Sequence, residues 1–291
     1  MAMTSIQKST YVEPILFGFM LTTLVLNPTL QQLVYDKVCL EHWNETYCHL
    51  LSHTSNETFK NDQSIVQQET ASWLKYISIS SSLLSIFPTI MYGSWSDKLG
   101  RKPVMWLPLI GNLLRNVGLV FVSYFKRTPV YYIIIFAAVT SLFGGFATII
   151  ASTMSYVADI TTKETRTRRV VILESMLYVS GAIASIGSGY ILQYFGYVAL
   201  YSTVVGVTTL IIIYMVFLKE SYRPEKKATW QDLFVVRHFI EGIQVFTRKR
   251  VEKCRSTLII VTAAFTVNFA CKCILSYFSY ILQHPFMLLI Y

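Results

Sequence analysis

Long apolar stretches alternate with short polar ones throughout the 291 residues of the chain. Runs of about twenty or more apolar residues are long enough to cross ~30 Å of hydrocarbon as an α-helix. They lack the two-residue alternation that is typical of barrel strands. The pattern therefore predicts seven membrane-spanning helices, at about 11–35, 74–92, 104–125, 130–157, 170–193, 197–218 and 257–282.

The order of the spans predicts an all-α membrane protein with a six-helix bundle at residues 11–218. A short N-terminus (1–10) precedes the bundle, and a polar segment (219–256) leads to the seventh span and the end of the chain (257–291). Six spans, a loop and the first helix of a second set are typical of transporters built from two repeated bundles. We therefore expect a fragment or truncated form, whose partner is the missing C-terminal half or a full-length relative.

Composition agrees with a membrane protein. Hydrophobic residues make up 53% of the chain and charged residues 14%, whereas soluble domains average about a quarter charged. The net charge of +9 is compatible with nucleic-acid binding, but the cationic residues lie between the spans, where they orient a membrane protein. We therefore expect membrane lipids as neighbours and no nucleic-acid partner.

The distribution of Lys and Arg predicts the orientation, because cytosolic loops carry an excess of both. With the N-terminus in the cytosol, the cytosolic segments hold eighteen Lys and Arg residues and the outer segments hold four. The predicted protein is a multi-pass membrane protein with a cytosolic N-terminus. We expect it in the plasma membrane, with a lysosomal or endosomal membrane as the alternative.

The first outer segment (36–73) carries features of the lumenal or extracellular side. Asn44 and Asn56 each begin an Asn-x-Thr glycosylation acceptor. Cys39 and Cys48 lie on the same oxidising side, where they would bridge to each other or to a loop outside this chain.

The polar stretch GSWSDKLGRK interrupts the apolar pattern directly after the second span. Gly93 permits close packing of helix ends, and Gly100 permits the left-handed backbone of a tight reversal. Asp97 would cap a facing helix N-terminus, whose dipole attracts anions. Arg101 would pair with acids such as Asp159.

The spacing of these glycines and charges resembles the signature between helices two and three of the major facilitator superfamily. The stretches at 156–175 and 180–197, and the YVEP at 11–14, are similar to solute carrier family 46, the family of the proton-coupled folate transporter. The resemblance implies a secondary transporter of a small organic solute that works by alternating access. It also implies that Asp97 and Arg101 lock and release the cytosolic side.

The resemblance gives Glu174 the role of a proton-coupling carboxylate in the fifth span. The family's fourth-helix aspartate corresponds here to the stretch 142–145 and its fourth-helix arginine to Phe136. Its seventh-helix histidine corresponds to Asn268. These replacements argue against folate as the substrate and predict another small organic solute. Asn268 is a predicted residue of the substrate cavity.

Glu174 also stands out from its position alone. It lies about four residues inside the predicted fifth span, where a carboxylate removed from water takes up a proton more readily. The alternative is that Glu174 lies at headgroup depth and pairs with Arg168 or Arg169.

Arg115 lies near the middle of the predicted third span, where a cation costs ~3 kcal/mol or more. Asn112 shares its helical face. One interpretation is a cavity that holds an anionic substrate or a buried acid, and the other is a structural hydrogen-bond hub. Lys272 in the seventh span would be the matching cation of the second half.

Enzyme motifs are absent from the sequence, which contains no P-loop, no His-Glu-x-x-His and no Gly-x-Ser-x-Gly. We therefore expect no enzymatic activity, no cofactor and no metal site. The alternative to a transporter is a truncated, non-transporting membrane protein that associates with or regulates a full-length relative.

Overall fold

The computed structural model describes residues 12–53 and 59–221. These residues form seven α-helices and, within those ranges, no β-strand. The helices are α1 (Glu13–His42), α2 (Glu45–His53), α3 (Lys60–Leu99), α4 (Arg101–Tyr124), α5 (Tyr131–Leu142), α6 (Gly145–Ile160) and α7 (Lys163–Phe217). The predicted all-α fold class is confirmed, while the seventh span and nearly all of the 219–256 segment lie outside the described residues.

Five helical stretches of the described chain are long and apolar enough to cross a membrane, namely α1, α3, α4, α5 with α6, and α7. The last of these is 55 residues long and is interrupted at Gly196, whose φ is 76° and whose ψ is −179°. A helix of that length would reach about 80 Å, so α7 contains two spans. Each of the six spans predicted for the bundle therefore has a helical counterpart.

The helices reach further than the apolar pattern predicted at the outer end. Helix α1 continues to His42, and α3 begins at Lys60 rather than at residue 74. Much of the outer segment 36–73 is consequently helical. Hydropathy marks only the part of a helix that meets hydrocarbon, whereas the backbone hydrogen bonds continue into the polar residues beyond it.

The predicted fourth span is two helices rather than one. Gly144 and Gly145 separate α5 from α6, with φ of 84° and 50°. These left-handed values favour glycine. A Cβ on Gly144 would also lie 2.2 Å from Oγ1 of Thr148 and 2.8 Å from Cδ2 of Tyr92, so the break depends on this glycine for both conformation and space.

The outer ends of the helices are tied together by polar contacts. The ammonium of Lys37 donates to the carbonyl oxygens of Val122, Phe125 and Lys126 at 2.6–2.9 Å. It thereby satisfies carbonyl groups at the C-terminus of α4, which have no partner within the helix. A disulfide joins Cys39 to Cys48 and holds α2 against the end of α1.

The first turns of α2 and α3 also meet. Tyr47 donates its hydroxyl to Oδ2 of Asp62 at 2.7 Å. This hydrogen bond to a carboxylate raises the pKa of Tyr47 above its ordinary value. At the end of α1, His42 lies 2.8 Å from Oε2 of Glu69 in α3. These contacts join the described outer ends of α1, α2 and α3.

Apolar side chains fill the space between α1, α4, α6 and α7. This main core includes Ile15, Leu16, Phe19, Met20, Met105, Leu109, Ile149, Tyr156, Val157, Leu173 and Met215. In contrast, α3 and the first half of α7 leave much of their surface uncovered by other described residues. The bundle therefore has a packed centre and two helices that keep exposed faces.

Candidate functional site

The side chain of Arg101 joins three helices at the predicted cytosolic end. Its Nη1 donates to Oδ1 of Asp97 at 2.6 Å and to Oγ of Ser96 at 3.0 Å. Its Nε donates to Oδ2 of Asp159 at 2.8 Å. Because Asp97 lies at the end of α3 and Asp159 at the end of α6, one guanidinium at the start of α4 fixes all three helix ends.

Gly100 forms the tight reversal between α3 and α4. Its φ of 109° lies in the region that favours glycine, and its N–H donates to the carbonyl of Ser96 at 3.2 Å. At Gly93, by contrast, an added Cβ would meet no atom within 4 Å among the described residues. The close helix packing expected at Gly93 is therefore not made by the described part of the chain.

A small groove lies beside this charged cluster, between α3 and α6. Its volume is about 130 Å³, and small or polar side chains line most of it. The lining residues are Thr89, Gly93, Ser96, Asp97, Arg101, Thr148, Ala151, Ser152 and Ser155, which we call the gate groove. Asp97 is 70% exposed here, whereas Arg101 is 13% exposed.

Arg115 belongs to a buried hydrogen-bond network between α1 and α4. Its Nη2 donates to Oδ1 of Asn112 at 2.7 Å, and Nδ2 of Asn112 donates to Oγ1 of Thr22 at 2.9 Å. Asn112 is fully buried. Within the described residues no carboxylate lies within ion-pair distance of Arg115, so these contacts match the structural hub rather than an acid partner.

A further polar contact lies between α4 and the second half of α7. Asn116 donates to Oγ1 of Thr208 at 3.4 Å. The Nε of Arg115, the Oδ1 of Asn116 and the hydroxyl of Tyr201 are buried without a hydrogen-bond partner among the described residues. These groups make the interface of α1, α4 and α7 polar at its centre.

A second polar contact joins α1 to α7 nearer the outer end, and the sequence reasoning missed it. Tyr197, the residue after the Gly196 break, donates its hydroxyl to Oδ2 of Asp36 at 2.6 Å. Its ring stacks on that of Tyr201. The spacing of Thr22, Thr29 and Asp36, seven residues apart, places them on one face of α1, and that spacing is the signal that could have indicated a buried polar seam.

Glu174 is the twelfth residue of α7, because the helix begins at Lys163, before the predicted fifth span. Its side chain is exposed. Tyr178 and Ser185 are also exposed, and their spacing of four and eleven residues from Glu174 puts them on the same helical face. We call this face the polar stripe of α7.

Another exposed face of the same helix is apolar. It consists of Val179, Ile183, Ile186 and Tyr190, which are 49–77% exposed. A helix with two exposed faces of opposite character meets two environments, and the apolar face is the one suited to lipid. The polar stripe of α7 is therefore suited to water or protein.

Helix α3 has the same division. Ser78, Ser82, Ser85 and Thr89 share one face and are exposed or half-buried. Tyr76, Ile79, Leu83 and Phe87 form the adjoining apolar face and are 50–64% exposed. On α1 the exposed residues at mid-helix are Asn27, Pro28, Gln31 and Gln32. Three helices thus present uncovered polar residues.

The remaining predictions concern the glycosylation sites, the arginines near Glu174 and the seventh span. Asn44 is exposed between α1 and α2. The alternative for Glu174 was a pair with Arg168 or Arg169, and Arg169 lies 3.6 Å from Oε1 of Glu13 in α1. Asn56, Asn268 and Lys272 lie outside the described residues.

A multi-pass helical bundle with an Arg–Asp cluster between its second and third spans is the arrangement expected for one half of a two-bundle membrane protein. Comparison with known protein families agrees with this class. The chain belongs to the Major Facilitator Superfamily, whose family model matches residues 14–288.

Individual relatives narrow the family further. The proton-coupled folate transporter of Bos taurus is 28% identical over 256 residues, which cover 88% of this chain and 55% of that protein. Its counterpart in Rattus norvegicus is 26% identical over 272 residues, covering 92% and 58%. These relatives confirm the predicted resemblance to the family of the proton-coupled folate transporter.

A second kind of relative carries a name that describes a different activity. The lysosomal proton-coupled steroid conjugate and bile acid symporter of Gallus gallus is 27% identical over 219 residues, covering 72% of this chain and 47% of that protein. The chain spans about half the length of the curated relatives it matches.

Proposed function

We propose that this chain is part of a secondary transporter that moves a small organic solute by alternating access and couples this movement to protons through Glu174. The observation that carries the proposal is the exposed carboxylate of Glu174 on the polar stripe of α7. An ionisable group on an uncovered face of a membrane helix is typical of transport pathways and proton relays.

The free-energy cost of a lipid-facing position for Glu174 supports this role. A carboxylate facing lipid costs up to ~2.5–3.5 kcal/mol, the value at the centre of a span. The neighbouring apolar face of α7 already provides a lipid contact. Together with Asn27 and Gln31 of α1 and the serines of α3, the polar stripe would line a path between this bundle and a second one. Protonation of Glu174 would neutralise the charge when the path closes.

The gate in this proposal is the cluster around Arg101. Asp97 gives one oxygen to Arg101 and remains 70% exposed, which leaves it able to cap a helix end outside the described residues. Release of that cap would open the cytosolic side, while the better shielded pair of Arg101 with Asp159 keeps α4 and α6 together.

We propose the chemical class of the solute rather than a particular compound. Relatives are named as carriers of folate and of steroid conjugates and bile acids. The replaced fourth-span positions, Phe136 and 142–145, disfavour folate, so we favour another small organic solute. Asn268 and Lys272 stay predicted cavity residues of the second half, and the partners are protons, the solute and membrane lipids.

The site of action follows the same reasoning. We propose the plasma membrane, with a lysosomal or endosomal membrane as the alternative, and a cytosolic N-terminus. An acidic outer or lumenal side would supply the protons in either location.

The test is an uptake assay in cells expressing the whole gene product, with folates, steroid conjugates and small peptides, at acidic and neutral pH. We expect greater uptake of one solute class at acidic pH. Glu174→Gln should abolish the pH dependence while leaving surface expression intact. Glu164→Gln is the matched control, because Glu164 is exposed in the first turn of the same helix. Unaltered pH dependence in Glu174→Gln would exclude the proton-coupling role.

A further inference from the structure

Helix α4 receives its N-terminal cap from a residue 119 positions away in sequence. The carboxylate of Glu220 accepts the backbone N–H of Arg101 at 2.8 Å through Oε1. It also accepts the N–H of Lys102, at 3.1 Å through Oε2. Glu220 is the second residue of the 219–256 segment that follows the six-span bundle.

The need for a remote cap follows from Gly100. The residue before a helix usually supplies a Ser, Thr, Asp or Asn side chain to the first free N–H groups. Here the turn has a φ of 109°, which selects glycine, and glycine has no side chain to offer. An anion from elsewhere satisfies these donors and interacts favourably with the helix dipole.

The contact is reciprocal. The ammonium of Lys102 donates to the carbonyl oxygens of Val216 at 2.9 Å and Leu218 at 2.6 Å, which lie at the C-terminal end of α7. In addition Tyr156 of α6 donates to the carbonyl of Lys219 at 2.7 Å. The start of α4 and the end of α7 therefore cap each other, beside the residue that holds the gate.

We propose that Glu220 is a positioning residue of the gate, which fixes the backbone of Arg101 and couples the start of the 219–256 segment to it. The inference rests on the proposed function, because it assigns Glu220 a place in that gate. The backbone of Arg101 is held by Glu220, while its guanidinium bridges Asp97 and Asp159. A displacement of Glu220 thus moves the one side chain that joins three helix ends.

The test uses the whole chain in lipid nanodiscs and two readouts that need no transport. The first is amide hydrogen exchange at residues 101 and 102. The second is the maleimide labelling rate of Ser155→Cys, a reporter in the gate groove, in a background that lacks Cys254, Cys271 and Cys273. Glu164→Ala is the matched control, since it removes an exposed carboxylate from the first turn of α7.

Glu220→Ala should speed exchange at residues 101 and 102 by about 2- to 30-fold, the range expected for loss of a helix cap. It should also change the labelling rate of the reporter severalfold, while Glu220→Asp restores part of both effects and Glu164→Ala changes neither. Wild-type exchange in Glu220→Ala would overturn the cap. Faster exchange with unchanged labelling would reduce Glu220 to a local cap and overturn the positioning role.

A folding defect in Glu220→Ala leaves the proposal testable through Glu220→Gln. The amide keeps one acceptor oxygen and the shape of the side chain but loses the charge, so exchange should rise less than in the alanine variant. Wild-type exchange and labelling in Glu220→Gln would count against the proposal. Because neither readout depends on uptake, a chain that fails to transport still decides the role of Glu220.

Discussion

The Nε of Arg101 lies 2.8 Å from Oδ2 of Asp159, and this ion pair joins the start of α4 to the end of α6. The two side chains are 13% and 25% exposed. The second pair of Arg101, with Asp97, involves a carboxylate that is 70% exposed. The two acids therefore hold the same cation under different degrees of solvent screening.

Asp159→Asn should destabilise the bundle more than Asp97→Asn. Solvent screens the Arg101–Asp159 pair less than the Arg101–Asp97 pair. We therefore expect the free energy of unfolding to fall by about 1 kcal/mol in Asp159→Asn and by a few tenths in Asp97→Asn. Thermal unfolding of the purified protein in detergent measures the difference. Equal melting temperatures for the two variants would contradict the assignment of Asp159 as the structural partner and Asp97 as the exposed one.

Arg115→Ala and Asn112→Ala should lower stability through the loss of one shared network. Each change leaves a buried partner without its hydrogen bond, which costs about 1–3 kcal/mol. Because the two residues are in contact, the double variant should lose less than the sum of the single losses. Unfolding of all three variants measures the coupling, and Arg127→Ala, at an exposed position, is the control.

The same variants separate the two interpretations of Arg115. A structural hub predicts that Arg115→Ala reduces the uptake of anionic and neutral solutes by the same factor. A selective loss of anionic solutes, with stability unchanged, would instead assign Arg115 to the substrate cavity.

Tyr197→Phe should destabilise the junction of α1 and α7 by about 1–3 kcal/mol, because Asp36 then loses the donor that satisfies it. Tyr190→Phe provides the control, since Tyr190 lies in the same helix and is 61% exposed. Melting temperatures report both effects. Equal values for the two variants would show that the hydroxyl of Tyr197 does not hold this junction.

Gly144→Ala should impair folding, whereas Gly187→Ala should not. Gly144 has a φ of 84° and no room for a methyl group, so alanine there costs about 1–2 kcal/mol in backbone conformation alone. Gly187 lies within α7, where an added Cβ would meet no atom of the described residues within 4 Å, and alanine favours helix. The yield of folded protein by size-exclusion chromatography distinguishes them, and equal yields would contradict the break between α5 and α6.

The spans and the charged turn were predictable because they depend on local sequence. Apolar run length gives the six spans of the bundle, and Gly100 with its neighbouring charges indicates the reversal between α3 and α4. The exposed face that carries Glu174 could also be found from spacing alone. These features require only the period of the helix and the chemistry of adjacent residues.

Other parts of the site depend on contacts that a single sequence does not display. Asp36 and Tyr197 are 161 positions apart, and Arg101 and Glu220 are 119 apart. The polar ends of α1 and α3 were missed because hydropathy falls where the membrane ends, although the helix continues. For Arg115 the sequence predicted a polar environment but left open whether the partner is a ligand or the protein.

The central proposal is that solute movement is coupled to protons through Glu174. Its most direct test is proton flux into liposomes that contain the purified gene product, followed with an internal pH-sensitive dye after addition of the solute found in the uptake screen. We predict solute-dependent acidification with the unaltered protein and with Glu164→Gln, and none with Glu174→Gln although the solute still binds. Solute entry without acidification, or acidification that persists in Glu174→Gln, would contradict the account.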